Sequence, residues 1–299
     1  MLNFVKVVEH SKATFKTEVN IMKIFKSILF SILYTSIYFI LQVVIQLVML
    51  FGWGYSFYIE NLTLIIIISS IISFFIYWGI IKLRKQKLSS ACSFKKFKYS
   101  QIPVYLLFGF SLQYHFQGLI AVFKLEELFP EHTRRLKLIF EGGSPLMIIL
   151  SVIILGPIIE EIIFRGLVIN ELKGKMPLII VIIIQALIFG VIHGNWLQIA
   201  YAAIIGILLG FVAIWTRSVW PSVLIHISMN GTPLLIGSIW EEEQIDQFVS
   251  SNKIPVTITC GVIVIAIMYF IYRKNPMESK VSAIEISDSG VIQEGENTK

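Results

Sequence analysis

The sequence predicts an all-α, polytopic membrane bundle of about eight transmembrane helices with both termini inside. Three observations predict it. Hydrophobic residues make up 56% of the 299-residue chain and charged ones only 15%, against roughly 25% charged in an ordinary soluble domain. The apolar residues fall into runs that match the roughly 20 residues a helix needs to cross a bilayer. The mean hydropathy is +0.79. These values exclude a disordered chain and a soluble enzyme with an ordinary surface, and they leave no room for a second soluble domain.

The expected spans are 28–51, 62–83, 102–123, 145–167, 177–193, 198–215, 219–239 and 254–272. Spans five and six, and six and seven, are joined by almost nothing, so they are read as tight antiparallel neighbours. Residues 1–27 form a basic, cytoplasmic N-terminal segment. Residues 28–272 form the membrane domain, with its chemistry in 145–239. Residues 273–299 are a polar, Ser/Glu-rich tail expected to be disordered and cytoplasmic. The first apolar run is too long for a signal-peptide core and has no small-residue cleavage site behind it.

Lys and Arg set the expected orientation. They crowd the N-terminal segment, the stretch from Lys82 to Lys98 and the tail from Arg273. The connections on the other side carry Lys124, Arg134, Arg135, Lys137 and Lys253, diluted by Glu126, Glu127 and Glu131. Basic loops stay in the cytoplasm, which gives an N-in, C-in chain, multi-pass and placed in the plasma membrane. The formal charge of +6 then points to anionic lipid at the cytoplasmic loops and not to nucleic acid. Cys92 and Cys260 fall on opposite sides and are not expected to pair. No internal repeat is evident, which argues against an inverted-repeat transporter.

Ionisable residues inside spans are costly and mark function by default. Span four holds Glu160, Glu161 and Arg165, span five ends at His193, and span seven holds His226 and Asn230. Glu161 and Arg165 stand i, i+4 on one helical face, whereas Glu160 points about 100° away. Arg165 can therefore neutralise Glu161 and leave Glu160 free. His226 and Asn230 are also i, i+4, so both can aim at one point. Counted from the turn near 173–176, Glu160 lies about 18 Å along its helix and His193 about 24 Å. His226 and Asn230 lie about 10 and 16 Å from the same side, so tilt can bring all four to one pocket.

The residue types suit peptide hydrolysis by an activated water. A desolvated carboxylate is a general base, and a His with an Asn amide can stabilise an oxyanion. The same Glu160, His193 and His226 suit zinc with water in its open position. The residues alone leave both versions open. Other intramembrane chemistries lack their parts. There is no H-E-x-x-H, and the only aspartates, Asp246 and Asp288, lie outside the spans. Gly142-Gly143-Ser144-Pro145 lacks the last glycine of a G-x-S-G motif, and no phosphate-binding loop is present.

Three motifs then stand in order, each in its own span. Glu160-Glu161-Ile162-Ile163-Phe164-Arg165 reads E-E-x-x-x-R, Phe189 to His193 reads F-x-x-x-H, and His226 to Asn230 reads H-x-x-x-N. Together they resemble the CAAX protease and bacteriocin-processing family, also called the ABI family, over 145–239. The resemblance implies an endopeptidase acting on a peptide or membrane protein. Glu160 would activate water with help from His193, His226 and Asn230 would hold the oxyanion, and Glu161 with Arg165 would orient the first glutamate. Many members are labelled metalloproteases, which keeps zinc open. Eukaryotic members trim prenylated proteins; bacterial ones are implicated in peptide maturation, bacteriocin immunity or envelope functions. Access is expected from the cytoplasm or laterally from the bilayer.

Plainer readings stand beside these. Glu161–Arg165 is also a structural pair, His193 an interfacial histidine, and Asn230 an interhelical tie. His115, between Gln113 and Gln117, matches no motif and reads as structural or cavity-lining. Gly206 and Gly210 read as close packing within the bundle. Trp53, Trp196, Trp220 and Trp240 suit an interfacial belt. The rival functions are a non-catalytic binding or immunity protein and, further off, an ion or metal transporter.

Overall fold

The computed structural model describes residues 2–141 and 143–275. The polar tail beyond them, with its expected disorder, lies outside the described residues. The chain is a helical membrane bundle, and its described residues contain no strand beyond one isolated bridge, Lys173 to Met176. The helices are α1 (Leu2–Trp53), α2 (Leu62–Leu83), α3 (Ile102–Val122), α4 (Pro130–Glu141), α5 (Pro145–Leu172), α6 (Leu178–Val191), α7 (Trp196–Thr216), α8 (Trp220–Gly237) and α9 (Glu242–Lys274). α9 breaks at Asn252, where φ is −120° and ψ is 16°.

Among the described residues, five segments are long and apolar enough to cross a membrane: Ile21–Trp53, Leu62–Leu83, Pro145–Leu172, Trp196–Thr216 and Ser251–Lys274. The other three expected spans are also helical but differ in character. α3 is interrupted by Gln113, His115 and Gln117, and α8 by His226, Asn230 and Thr232. α6 has 14 residues. At 1.5 Å per residue it reaches about 21 Å, short of the roughly 30 Å hydrocarbon core, and His193 lies just past its end.

α5 is the centre of the bundle. Half of its apolar window is buried, against 17% for α1. Its second half packs Ile159, Ile163, Phe164 and Val168 against Tyr34, Tyr77 and Phe189. A second cluster joins α3, α7, α8 and α9 through Phe108, Leu112, Leu209, Ile225 and Ile267. In lipid, apolar burial between helices gives little drive, so close backbone approach does more. A Cβ on Gly109 would stand 2.2 Å from the Ile225 carbonyl, which is how closely α3 and α8 cross. Cβ atoms on Gly206 and Gly210 would stand 2.9 Å from Ala186 Cα and 2.7 Å from Gln185 Nε2, so this pair packs α7 on α6 inside the bundle.

α5 is not a regular α-helix. Two π-helical stretches, Ile149–Leu155 and Ile162–Val168, flank the α-helical Gly156–Glu161. Pro157 supplies part of the cause. Gly156 N–H bonds to Ser151 O in the i to i−5 register. The same register would pair residue 157 with Val152 O, but proline has no N–H to give. Asn230 Nδ2 from α8 donates to that carbonyl at 2.9 Å. A backbone group that would be orphaned in a membrane is thus satisfied by a neighbouring helix.

The Lys-rich connection 84–101 is fastened to the helix ends. Arg84 pairs with Glu171 and donates to the Tyr34 hydroxyl at 2.7 Å. Asn170 Nδ2 donates to Ala91 O at 2.8 Å, and Ser218 Oγ to Lys95 O at 2.6 Å. Cys92, within this connection, and Cys260 are both free and buried.

Candidate active site

Glu160 and Glu161 are neighbours with opposite surroundings. Glu161 is fully buried and its Oε1 accepts from Arg165 Nη1 at 2.8 Å and from His226 Nδ1 at 2.9 Å. The i, i+4 spacing read from the sequence makes the first bond, even though Arg165 sits in a π stretch. Glu160 has a side chain 18% exposed, and among the described residues it makes no hydrogen bond. Its nearest charge partner is His226 Nε2, 3.9 Å from Oε2, too far for a direct bond.

The histidines are held by their other nitrogens. His193 Nδ1 lies 2.7 Å from Phe189 O. A carbonyl only accepts, so Nδ1 carries the proton and Nε2 of a neutral ring is left as an acceptor. The His193 carbonyl in turn receives Arg135 Nη1 from α4 at 2.9 Å. His226 donates from Nδ1 to the Glu161 carboxylate, so its Nε2 donates to an oxyanion only when the ring holds both protons. Asn230 spends one amide hydrogen on Val152 O and retains a second hydrogen and its carbonyl. His226 and Asn230, which the spacing puts on one face, are each tied to a different part of α5, and both line the same cavity.

The ring of Phe189 joins these groups. It lies 4.4 Å below the Arg165 guanidinium and meets the His193 and His226 rings edge-on, at centroid distances of 4.9 and 5.9 Å. In the sequence Phe189 was visible only as a motif letter. The structure makes it the apolar wall that fixes both imidazoles and covers the buried cation.

Glu160, His193, His226 and Asn230 all line one cavity of about 690 Å³. Glu161 and Arg165 lie behind it, with no side-chain exposure. The cavity draws its other walls from α1, α2, α3, α4 and the start of α7. Sequence reasoning missed several of these residues: the buried Tyr38 hydroxyl, Arg135, and the glutamines of α1 and α3. His115 is not among the lining residues; its Nδ1 meets Thr257 O at 2.9 Å, a tie between α3 and α9.

The conditional zinc set does not assemble. Among the described residues no three His, Cys, Asp or Glu are grouped so as to hold a metal ion. Glu160, His193 and His226 share the cavity but do not converge as three ligands, so no step is routed through a metal.

The cavity occupies one half of the bundle. It is lined from Gln46, Tyr58, Ile120, Glu126, Arg135 and His193, which belong to or adjoin the connections following spans one, three and five. No residue of the connections 84–101, 173–177 or 216–219 lines it. The lining therefore lies away from the Lys-rich end, and of the two routes expected from the sequence, cytoplasmic or lateral, the lateral one is compatible with the N-in orientation expected from the charges.

Similar proteins match the part of the chain that carries these residues. Residues 142–232 match the family model described as Rce1-like, type II CAAX prenyl endopeptidase. YdiL of Bacillus subtilis (strain 168), a protein named as a membrane peptidase, is 35% identical over 86 residues, which is 29% of this chain and 35% of the relative. The membrane-embedded CAAX protease MroQ of Staphylococcus aureus (strain USA300) is 30% identical over 101 residues, 32% of this chain and 41% of the relative. The match thus spans less than half the length of either relative. No solved structure matches the chain. The resemblance to the CAAX protease and bacteriocin-processing family holds over the motif-bearing segment.

Proposed function

We propose, from this family placement, that the chain is an intramembrane endopeptidase of CAAX type that cleaves a peptide or membrane protein with water activated at Glu160. The observation that carries the reading is the division of labour between the paired carboxylates. Glu161 Oε1 is engaged by Arg165 and His226 behind the cavity, while Glu160 makes no hydrogen bond to a described residue and stands at the cavity wall.

The steps follow from the atoms available. Glu160 takes a proton from a water that also donates to His193 Nε2. The water oxygen attacks the peptide carbonyl, whose oxygen becomes an oxyanion. Asn230 offers its remaining amide hydrogen to that oxyanion, and His226 offers Nε2–H when its ring holds both protons. As the C–N bond breaks, Glu160 returns its proton to the leaving nitrogen. General base catalysis of this kind contributes about 10²–10⁴-fold. Glu161 and Arg165 are positioning residues: they set the His226 ring and keep its Nδ1 proton engaged.

We further read the bundle as eight spans, N-in and C-in, in the plasma membrane, with anionic lipid at the Lys-rich connections. On that orientation the cavity opens to the extracytoplasmic half, and substrate reaches it from there or laterally.

The test compares peptide termini in membrane and secreted fractions of host cells carrying wild type or Glu160→Gln at matched expression. Termini present only with wild type support the peptidase. Identical termini across well-covered membrane proteins, with immunity or binding retained by Glu160→Gln, would replace it with a non-catalytic binding role.

A further inference from the structure

The cavity wall carries five glutamines: Gln42 and Gln46 on α1, Gln113 and Gln117 on α3, and Gln198 at the start of α7. The proposed chemistry uses none of them. A carboxamide inside a membrane bundle is costly unless its donors and acceptor are met. Elsewhere in this protein carboxamides tie the bundle together, although the buried Gln185 Oε1 accepts from no described residue. Buried Gln185 donates to Ile182 O at 3.0 Å and Gly206 O at 2.8 Å, tying α6 to α7. Gln101 accepts from the Tyr105 hydroxyl at 2.8 Å. Gln113 and Gln117 differ. Both are half-buried and neither makes a hydrogen bond to another described residue. They line the cavity from the second half of α3.

Their spacing suits one class of ligand. Gln42 and Gln46, and Gln113 and Gln117, are each i, i+4. On a helix that separates the two amides by about 6 Å along the axis. In an extended peptide, groups facing the same way repeat at about 6.6–6.8 Å. A carboxamide also presents the same donor and acceptor as a peptide group, so each glutamine can meet one backbone unit at two points. On α1, Gln46 Nε2 already donates to the Tyr58 hydroxyl. We infer that Gln113 and Gln117 form a backbone-reading site that holds a substrate peptide in extended form along α3, leading its scissile bond to Glu160. This rests on the peptidase reading and adds a substrate class: an unfolded stretch recognised by its main chain, with no charge required of its side chains. A prenyl chain or acyl tail offers nothing for these amides to bond.

The test measures binding separately from cleavage. Full-length protein carrying Glu160→Ala is purified in detergent; alanine blocks turnover without adding an amide to the cavity. The probes are a fluorescein-labelled pool of blocked decapeptides randomised among Gly, Ala, Ser, Val and Leu, and the same pool N-methylated along its backbone. The N–H pool is expected to bind, and the N-methylated pool to bind poorly. Adding Gln113→Leu and Gln117→Leu should weaken the N–H pool about tenfold, the equivalent of one or two net hydrogen bonds. Leucine suits the bilayer, so thermal unfolding should not fall, which separates this loss from misfolding. Equal binding of both pools, no loss in the double variant, or no binding of either pool would overturn the inference. Binding that follows the glutamines with no cleavage by the wild-type protein would sink the peptidase and leave the backbone site standing.

Discussion

At the Lys-rich end of the bundle, polar side chains tie elements together. Arg84 holds Glu171 and Tyr34, Asn170 holds the backbone at Ala91, and Ser218 holds Lys95. At the cavity end, polar side chains of comparable cost are left open: among the described residues, Glu160, Gln113 and Gln117 make no hydrogen bond. Both ends contain a carboxylate beside basic groups, so composition alone does not separate them. The difference lies in what each group is already bonded to. One end uses its polar groups to hold the bundle shut, and the other keeps them for a ligand. Glu161 and Arg165 sit at the boundary, bonded like the first end and adjacent to the second.

The largest effect that sharpens this contrast is at Arg165. Arg165→Leu leaves a fully buried Glu161 without its cation and should cost about 3–5 kcal/mol, seen as loss of monodisperse protein or a large fall in unfolding temperature in detergent. Adding Glu161→Gln should recover part of that loss, because removing both charges is cheaper than stranding one. No recovery would mean the pair is not the coupled unit described.

Asn230 comes next. Asn230→Ala leaves Val152 O unsatisfied and should cost about 1–3 kcal/mol in stability. If its second amide hydrogen also meets the oxyanion, cleavage per folded molecule falls by a further factor of about 10²–10³. Activity that merely tracks the folded fraction would reduce Asn230 to the tie between α8 and α5.

The smaller effects belong to the Lys-rich end. Arg84 and Glu171 are partly exposed, so Arg84→Ala should cost about 1 kcal/mol or less and leave cleavage per folded molecule unchanged. A strong loss of activity there would erase the distinction between the two ends. Burial pushes the Cys92 thiol up to about 12, so near neutral pH it stays protonated and unreactive. Maleimide should label it only after denaturation; rapid labelling of native protein would show that the connection is not packed down.

Much of the site was legible in the sequence because helical spacing is a local property. Glu161 and Arg165 pair as their i, i+4 spacing requires, and Glu160 turns to the cavity as its 100° offset requires. What was not legible depends on partners from other helices. The π stretches around Gly156–Glu161 depend on how α5 packs, and the rescue of Val152 O depends on Asn230 from α8. The side from which the cavity is reached is not legible in the sequence, because loop charges orient a chain but do not say at which end its helices part. Gln113 and Gln117 drew attention only as neighbours of His115, whereas it is His115 that turns out to be tied to the backbone and the glutamines that face the cavity.

The central claim is that two adjacent carboxylates divide function from stability. Its most direct test is a matched pair, Glu160→Gln and Glu161→Gln, each measured for thermal unfolding in detergent and for the wild-type-dependent termini in membranes. The account predicts that Glu160→Gln abolishes those termini with unfolding unchanged, whereas Glu161→Gln lowers the unfolding temperature. Equal loss of stability in both, or termini that persist with Glu160→Gln, would contradict it.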